Sequence, residues 1–412
     1  MLTEIGKRVK KASVKLAVLS TEDKNRILKA IAKAIRENCD KIVKANELDL
    51  DNGRKNGMSE ALLDRLMLNN DRVCAMAQGI EDVVSLPDPV GRVLWEAERP
   101  NGMKIQRVST PLGVIGIIYE ARPNVTSDAA ALSIKSGNAA ILRGGKEAFN
   151  SNSAIMDIMR EAIEKEGFDA DIIELVRDTS RESSTALMRM NKYVDVLIPR
   201  GSAKLINAVV ENSTVPVIET GAGNCHVYVD EFADIDKAVT IVNNAKTRRI
   251  SVCNTAESLL IHKSIAEFAL VAIKAKLDEK NVILYGDEIA CEICPDIEKA
   301  TEEDWATEYL DYKMSVKIVS SVDEAIEHIR KYSTNHSESI VTENTEVAEK
   351  FLNEVDSAAV YHNVSTAFTD GGEFGFGAEI GISTQKLHAR GPLGLPQLNS
   401  FKYKIYGNGQ VR

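Results

Sequence analysis

Apolar residues recur at helical spacing in the first part of the chain. Over 21–38 they return every three or four positions, which predicts an amphipathic helix. Ser20 followed by Asp23 supplies an N-cap with an acidic first turn. A second helix is predicted over 62–84. Prolines and glycines between 87 and 102 then interrupt the pattern and predict a loop region.

From residue 106 onward, short β-rich runs alternate with amphipathic helices. The predicted strands are 114–119, 139–142, 172–176, 194–198 and 215–219, and the helices between them are 127–136, 151–166, 183–190 and 202–212. Five strands separated by four helices predict a parallel, doubly wound α/β sheet. Such sheets bind ligands, usually nucleotides, at the carboxyl ends of their strands.

A second α/β series follows a break near 221–223. Its predicted helices are 235–248, 265–277, 322–332 and 347–355, and its strands are 258–261, 282–284, 316–319, 339–341 and 358–361. The glycine-rich C-terminal segment ends in 400–406, which alternates like an edge strand. An exposed edge is a liability unless it is paired, so we expect this strand to join another subunit, giving a dimer or a dimer of dimers.

Composition restricts the class of protein. The 412 residues carry 51 Lys and Arg against 61 Asp and Glu, a net charge of −10, which argues against nucleic acid or an anionic membrane as partner. No apolar run approaches the roughly 18 residues of a membrane span. The basic N-terminus is followed by a short apolar stretch, 16–19, which favours a helix face over a signal peptide. Six sparse cysteines predict reduced thiols and a cytoplasmic location.

Cys253 is the candidate nucleophile. It lies on a predicted loop after Arg248 and Arg249, whose charges would favour a thiolate. Glu219, at the carboxyl end of the last strand of the first series, adds a carboxylate near the domain break. A cysteine that merely fills a small buried space is the alternative, and the residues alone leave it open.

Cys291 and Cys294 form a single CxxC. No second CxxC is present, and the six histidines show no ligand spacing, so the sequence predicts no metal site.

Two loops are candidates for binding phosphate, although the GxGxxG pattern is absent and Gly221 only begins one. Gly201 and Ser202 follow a predicted strand and open a helix, which offers backbone N–H groups and a hydroxyl to an anion. The other loop consists of Arg143, Gly144, Gly145 and Lys146, where two cations frame a flexible turn. An ordinary βα loop stays the alternative for each.

Taken in order, several segments resemble the aldehyde dehydrogenase superfamily and, within it, the γ-glutamyl phosphate reductase family. These segments are Tyr119–Val125 (YEARPNV), Lys135–Lys146 (KSGNAAILRGGK), Ile198–Ser202 (IPRGS), Glu219–His226 (ETGAGNCH), Val252–Asn254 (VCN), Phe374–Thr384 (FGFGAEIGIST) and His388–Pro392 (HARGP). The resemblance covers nearly the whole chain.

The resemblance implies an aldehyde dehydrogenase-like α/β fold in three parts. Residues 1–223 would form an NADPH-binding domain with a flap near 100–120. Residues 224–363 would form the catalytic domain, and 364–412 a return segment with an oligomerisation arm.

Each candidate residue receives an expected role from the same resemblance. Cys253 is expected to be the nucleophile, Asn124 an oxyanion donor, and Glu219 the glutamate after the fifth strand. Arg122 and Asn363 are expected to bind substrate. The cofactor-binding set is expected to be Arg143, Gly144, Gly145, Lys146, Gly201, Ser202 and Gly221.

The implied reaction is NADPH-dependent reduction of γ-glutamyl phosphate to glutamate 5-semialdehyde through a cysteinyl thioester, a step of proline biosynthesis. Glutamate 5-kinase is a candidate partner for substrate transfer. An acyl-CoA or other aldehyde dehydrogenase on the same fold is the alternative enzyme, and an inactive scaffold is the non-enzyme alternative. One departure supports the scaffold: Ala367 stands where the family pattern usually has arginine.

Overall fold

The computed structural model describes residues 2–412, which divide into two compact units. The first unit contains the chain up to Thr220 together with Gly375–Gly381 and Leu393–Arg412. The second unit contains Gly221–Phe374 and Ile382–Pro392. The C-terminal segment is therefore shared between the two units.

The α-helices of the described chain are, in order, α1 (Leu2–Leu16), α2 (Thr21–Glu37), α3 (Cys39–Lys55), α4 (Glu60–Leu66), α5 (Asn70–Ser85), α6 (Asn124–Lys135), α7 (Phe149–Lys165), α8 (Arg181–Met188), α9 (Ala203–Asn212), α10 (Ile235–Thr247), α11 (Ala266–Asp278), α12 (Glu288–Ile293), α13 (Val322–Tyr332) and α14 (Thr345–Glu354). The strands are β1 (Val93–Glu98), β2 (Lys104–Pro111), β3 (Val114–Tyr119), β4 (Ala139–Arg143), β5 (Ile173–Leu175), β6 (Val196–Arg200), β7 (Cys225–Val229), β8 (Ala256–His262), β9 (Ile283–Gly286), β10 (Glu298–Lys299), β11 (Lys313–Val319), β12 (Ser337–Val341), β13 (Ala359–His362), β14 (Ile382–Ser383), β15 (Gly391–Pro392) and β16 (Asn399–Tyr406).

Helix caps account for the start of two N-terminal helices. Helix α2 begins as the sequence predicts, because Ser20 accepts a hydrogen bond from the Asp23 N–H at 3.0 Å. The prediction of one helix over 62–84 is wrong. Asn69 caps α5 by accepting the Arg72 N–H at 2.8 Å, so the chain forms two helices, α4 and α5.

The parallel sheet of the first unit has the order β5-β4-β3-β6. Strand β3 is buried along its whole length and pairs with β4 on one side and β6 on the other. The predicted fifth strand over 215–219 is reduced to one parallel bridge between Val217 and Leu197. Because the strand order reverses beside β3, the carboxyl ends of β3 and β6 mark the expected ligand crevice.

A separate antiparallel sheet in the first unit has the order β1-β2-β16. Strand β16 pairs with β2 of its own chain, from Asn399 opposite Pro111 to Tyr406 opposite Lys104. Seven of its eight residues are exposed, so the strand retains one edge without a partner within the described chain.

The sheet of the second unit is parallel, with the order β10-β9-β11-β8-β7-β12-β13. Its central strands, β7 and β8, are buried on both faces. The prediction of a second α/β series is confirmed, although the sequence pattern missed β7 and the two-residue edge strand β10. No helix within residues 2–412 is long and apolar enough to cross a membrane.

Candidate active site

Cys253 lies on the loop that joins α10 to β8 and is partly exposed. Local hydrogen bonds hold this loop. Thr255 donates its N–H to the Val252 carbonyl at 3.1 Å and its hydroxyl to the Arg249 carbonyl at 2.7 Å. Arg248 and Arg249, which the sequence placed beside the thiol, are both exposed.

A second set of contacts ties the loop to the segment around Thr366. The Asn254 amide donates to the Ala367 carbonyl at 3.2 Å and to the Thr369 carbonyl at 3.1 Å. The Thr366 hydroxyl donates to the Asn254 carbonyl at 2.7 Å. Ala367, where the family pattern has arginine, is therefore adjacent to the loop that carries Cys253.

The backbone of Cys253 packs directly against Gly223. A Cβ built on Gly223 would lie 1.4 Å from the Cys253 carbonyl oxygen, so a larger residue at this position would force one of the two backbone segments to move. The same carbonyl accepts a hydrogen bond from the Cys225 thiol at 3.2 Å. Burial raises the pKa of Cys225 well above its ordinary value, which keeps that thiol protonated as a donor.

The turn after β3 carries Glu120, Arg122 and Asn124. Asn124 is the first residue of α6 and is half-buried. Its side-chain amide donates to the Asp128 carboxylate at 2.9 Å. An amide has two N–H hydrogens, so this bond fixes the orientation of the group and leaves one hydrogen for another acceptor.

Sequence reasoning missed Asp128, which one helical turn separates from Asn124. Burial raises the pKa of Asp128 to about 6, while hydrogen bonds from Asn124 and Ser127 and the charge of Arg200 act to lower it. The i, i+4 spacing from the candidate amide was the available signal.

Gly201 and Ser202, at the end of β6, lie opposite the turn that follows β3. The Ser202 N–H donates to one oxygen of Glu120 at 2.8 Å, and the Ser202 hydroxyl donates to the other at 2.9 Å. A Cβ on Gly201 would lie 2.6 Å from the Glu120 carboxylate. The donors predicted to bind a phosphate thus bind an anion of this chain.

In the loop after β4, the first three candidate residues are packed within the protein and the fourth is exposed to solvent. Arg143 donates to the Thr179 carbonyl at 2.7 Å and the Ser180 carbonyl at 3.2 Å, which gives its guanidinium a structural role. Gly144 packs against Asn152, where a Cβ would lie 2.1 Å from the amide nitrogen. Gly145 is buried as well, whereas Lys146 is exposed.

The remaining candidates lie elsewhere in the two units. Glu219 is half-buried and follows the bridge to β6. Gly221 packs against Thr384, 2.7 Å from its methyl to a built Cβ. The Asn363 side chain exchanges hydrogen bonds with the Thr342 backbone at 3.0 and 2.9 Å. These bonds tie the end of β13 to the end of β12, and the expected contact of Asn363 with substrate stays a prediction.

The CxxC cysteines lie at the end of α12. Burial raises the pKa of both Cys291 and Cys294. Within residues 2–412 no group of three or more His, Cys, Asp or Glu is arranged to hold a metal ion.

The chain is similar throughout its length to proteins of known family. The model of the aldehyde dehydrogenase family matches residues 3–311. The γ-glutamyl phosphate reductase of Lachnospira eligens is 57% identical over 411 residues, covering 100% of this chain and 99% of the relative. The crystal structure of γ-glutamyl phosphate reductase from Thermotoga maritima superposes with a TM-score of 0.98 at 49% identity, covering 100% of this chain and 99% of that one.

A more distant structure shares the fold. The acetylating aldehyde dehydrogenase of Geobacillus thermoglucosidasius has a TM-score of 0.70 at 17% identity, and covers 100% of this chain and 97% of that one. The family model over residues 3–311 and the 57% and 49% identities to the two γ-glutamyl phosphate reductases establish the resemblance suggested by the sequence motifs. The chain belongs to the aldehyde dehydrogenase superfamily and, within it, to the γ-glutamyl phosphate reductases.

Proposed function

We propose that the protein reduces γ-glutamyl phosphate to glutamate 5-semialdehyde and phosphate, the second step of proline synthesis from glutamate. The observation that carries the proposal is the 57% identity to a γ-glutamyl phosphate reductase over the full length of both chains. The half-exposed cysteine on a tightly held loop supplies the nucleophile that this reaction needs.

Cys253 is the nucleophile in this proposal. Its thiolate attacks the acyl carbon, the C–S bond forms, and the C–O bond to phosphate breaks, which leaves a thioester. When bound, a reduced nicotinamide supplies the hydride that converts this acyl group to the aldehyde oxidation level. The C–S bond then breaks and returns the electron pair to sulfur, so the aldehyde leaves and the thiolate is restored.

Asn124 stabilises the negative charge that develops on the acyl oxygen. Its bond to Asp128 at 2.9 Å supports this role, because a donor that is already oriented costs no reorganisation during the reaction. The backbone N–H of Cys253 is the second proposed donor.

Glu219 need not activate water, since hydrolysis of the thioester would waste the substrate, and we assign it to orienting the thiol or the cofactor. Arg122 is the proposed substrate-binding cation.

NADPH is the proposed cofactor, and the residues after β6 fit its phosphates. The Ser202 N–H and hydroxyl hold the Glu120 carboxylate at 2.8 and 2.9 Å, so the position has donors suited to an anion, and a phosphate would bind there once Glu120 moves away. Lys146 is the proposed contact for the 2′-phosphate, because its exposed ammonium would attract that group. Gly144 and Gly145 complete the proposed cofactor loop.

The cofactor assignment is tested with Lys146→Glu. A charge-assisted contact is worth about 1.5–3 kcal/mol, or about 10- to 150-fold in affinity. We expect the variant to lose most of its preference for NADPH over NADH, with little change in kcat. Equal catalytic efficiency of the unmutated enzyme with both cofactors would show that the assignment is wrong.

The reaction is tested in reverse, by following NADP⁺ reduction with glutamate 5-semialdehyde. We expect turnover that depends on added phosphate and stops in Cys253→Ala. Cys74→Ala, which removes an exposed cysteine from α5, is the matched control and should keep full activity. Turnover that depends on coenzyme A in place of phosphate would instead support an acyl-CoA reductase.

A homo-oligomer is also part of the proposal. The three-stranded sheet of β1, β2 and β16 exposes several large apolar side chains, which a second copy would cover: Val93, Leu94, Trp95, Phe401, Tyr403, Ile405 and Tyr406. Light scattering at micromolar concentration should give a dimer or tetramer, and a monomer would contradict this assignment. The cytoplasmic location and the association with glutamate 5-kinase stay predictions.

A further inference from the structure

A buried ion pair brackets the loop that carries Cys253. Lys246 lies in the last turn of α10, before the loop, and Glu257 lies on β8, after it. The Lys246 ammonium donates a hydrogen bond to Oε2 of Glu257, and both side chains are 0% exposed. The pair therefore joins the two elements between which the loop is suspended.

The second oxygen of Glu257 extends this connection. Its Oε1 accepts the N–H of Leu310 at 3.2 Å, and Leu310 adopts a left-handed φ of 52°. Two residues earlier, Oε1 of Glu308 accepts the N–H of Gly223 at 2.7 Å. Gly223 is the residue that packs against the Cys253 carbonyl. A continuous series of contacts thus runs from the ion pair to the nucleophile.

Stability does not explain why charges occupy this position. Moving both groups out of water is unfavourable, and well-packed apolar residues of similar volume are often neutral or stabilising replacements. In agreement, burial raises the pKa of Glu257 to about 7 and lowers that of Lys246, so each charged form is disfavoured by its surroundings. The benefit of the pair has to be sought in the geometry that it imposes.

We infer that Lys246, Glu257 and Glu308 are positioning residues that hold the Cys253 loop in its reactive geometry. They contact the loop or its neighbours and reach Cys253 through Gly223 and the two ends of the loop. The inference rests on the proposed function in one respect, the assignment of Cys253 as nucleophile. It adds three residues that neither the motifs nor the fold identified.

The first test removes the ion pair without leaving an unpaired charge, in Lys246→Met/Glu257→Leu. Two quantities are measured: the rate of Cys253 alkylation by iodoacetamide, followed by mass spectrometry, and kcat and KM in the reverse assay. We expect at least a tenfold loss in alkylation rate and in kcat, with KM within threefold and the melting temperature retained. Lys24→Met/Asp88→Leu removes the buried ion pair of the first unit (2.6 Å) and is the matched control.

The second test remains decisive if the double variant does not fold. Glu308 is half-buried, so Glu308→Ala should fold while it removes the acceptor for the Gly223 N–H. We expect a three- to tenfold fall in alkylation rate and kcat, and rescue by Glu308→Gln, which keeps an acceptor oxygen. Alkylation and kcat within twofold of wild type in Glu308→Ala, or in a folded double variant, would overturn the inference. An active Cys253→Ala would instead overturn the proposed function, so the two failures are distinguishable.

Discussion

Replacing Gly223 by alanine should displace Cys253, the proposed nucleophile. The added Cβ would lie 1.4 Å from the Cys253 carbonyl oxygen and 2.3 Å from its carbonyl carbon, whereas ordinary contacts of a Cβ begin at 3.4 Å. The backbone of one segment must therefore move by about 3.4 − 1.4 = 2 Å. Because a misplacement of about 1 Å can cost about 100-fold in rate, we expect kcat to fall at least about 100-fold, or roughly 2.7 kcal/mol in activation free energy.

The measurement is kcat and KM for phosphate-dependent NADP⁺ reduction, together with thermal unfolding. Overpacking typically costs about 1–3 kcal/mol of stability, so the variant should fold. Gly79→Ala is the control: Gly79 lies within α5 with no atom within 4 Å of a built Cβ. It should keep full activity and gain about 0.5–1 kcal/mol from helix propensity. A Gly223→Ala enzyme with kcat within threefold of wild type would refute the reasoning.

Four further outcomes follow from contacts of three residues in the first unit. Lys24→Met should lower the unfolding free energy by about 3 kcal/mol in denaturant titrations, the lower end for a broken buried pair, because Asp88 loses its cation and keeps only the Thr21 hydroxyl and the Val90 N–H. Asp128→Ala should lower kcat about tenfold through loss of the bond that orients Asn124, and Asp128→Asn, which keeps an acceptor, should restore most of it. Burial raises the pKa of Asp128 from 3.8 to about 6, so the wild type should lose stability as pH rises from about 4 to about 6, and the stability advantage of Asp128→Asn should grow over that range and then level off. Arg143→Met should lower the melting temperature by a few degrees with kcat unchanged, since its guanidinium bonds only to backbone carbonyls in the described chain.

Elements with a continuous apolar pattern could be predicted from the sequence. The residues of β3 match the predicted 114–119, and α13 matches the predicted 322–332. Strand β7 was missed because it begins with Cys225 and His226, which leaves only three residues of typical strand character in the sequence. All five residues of the strand are buried. Burial there depends on β8 and β12, which pair with it on either side.

Helix α3 was also missed, for a related reason. Its buried face includes two polar residues, Asn46 and Asp49, so the apolar periodicity is broken. Asn46 accepts the Leu68 N–H at 2.7 Å, and Asp49 accepts the N–H and hydroxyl of Ser151 at 2.8 and 2.6 Å. These partners are distant in sequence, and a pattern read along one helix cannot identify them.

The candidate site divides in the same way. Motifs identified Cys253, Asn124 and Ser202, because each stands in a segment that resembles the family. They could not identify Asp128 or Glu257, whose importance comes from what they contact: the Asn124 amide at 2.9 Å and the buried Lys246 ammonium.

Buried polar contacts therefore determine both where the sequence pattern fails and how firmly the site is held. A buried carboxylate that lacks a partner costs several kcal/mol, so each one restricts the chain to arrangements in which its partners are present. Asp49 restricts the packing of helix α3 against α7 in this way. Glu257 restricts the loop that carries Cys253, the proposed nucleophile. An apolar residue at position 257 would tolerate many loop conformations, because apolar packing is non-directional. The hydrogen bonds of Glu257 to Lys246 and Leu310 are directional, so they restrict the position of the loop. A reactive thiol requires such a restriction, because its sulfur must be held in one geometry.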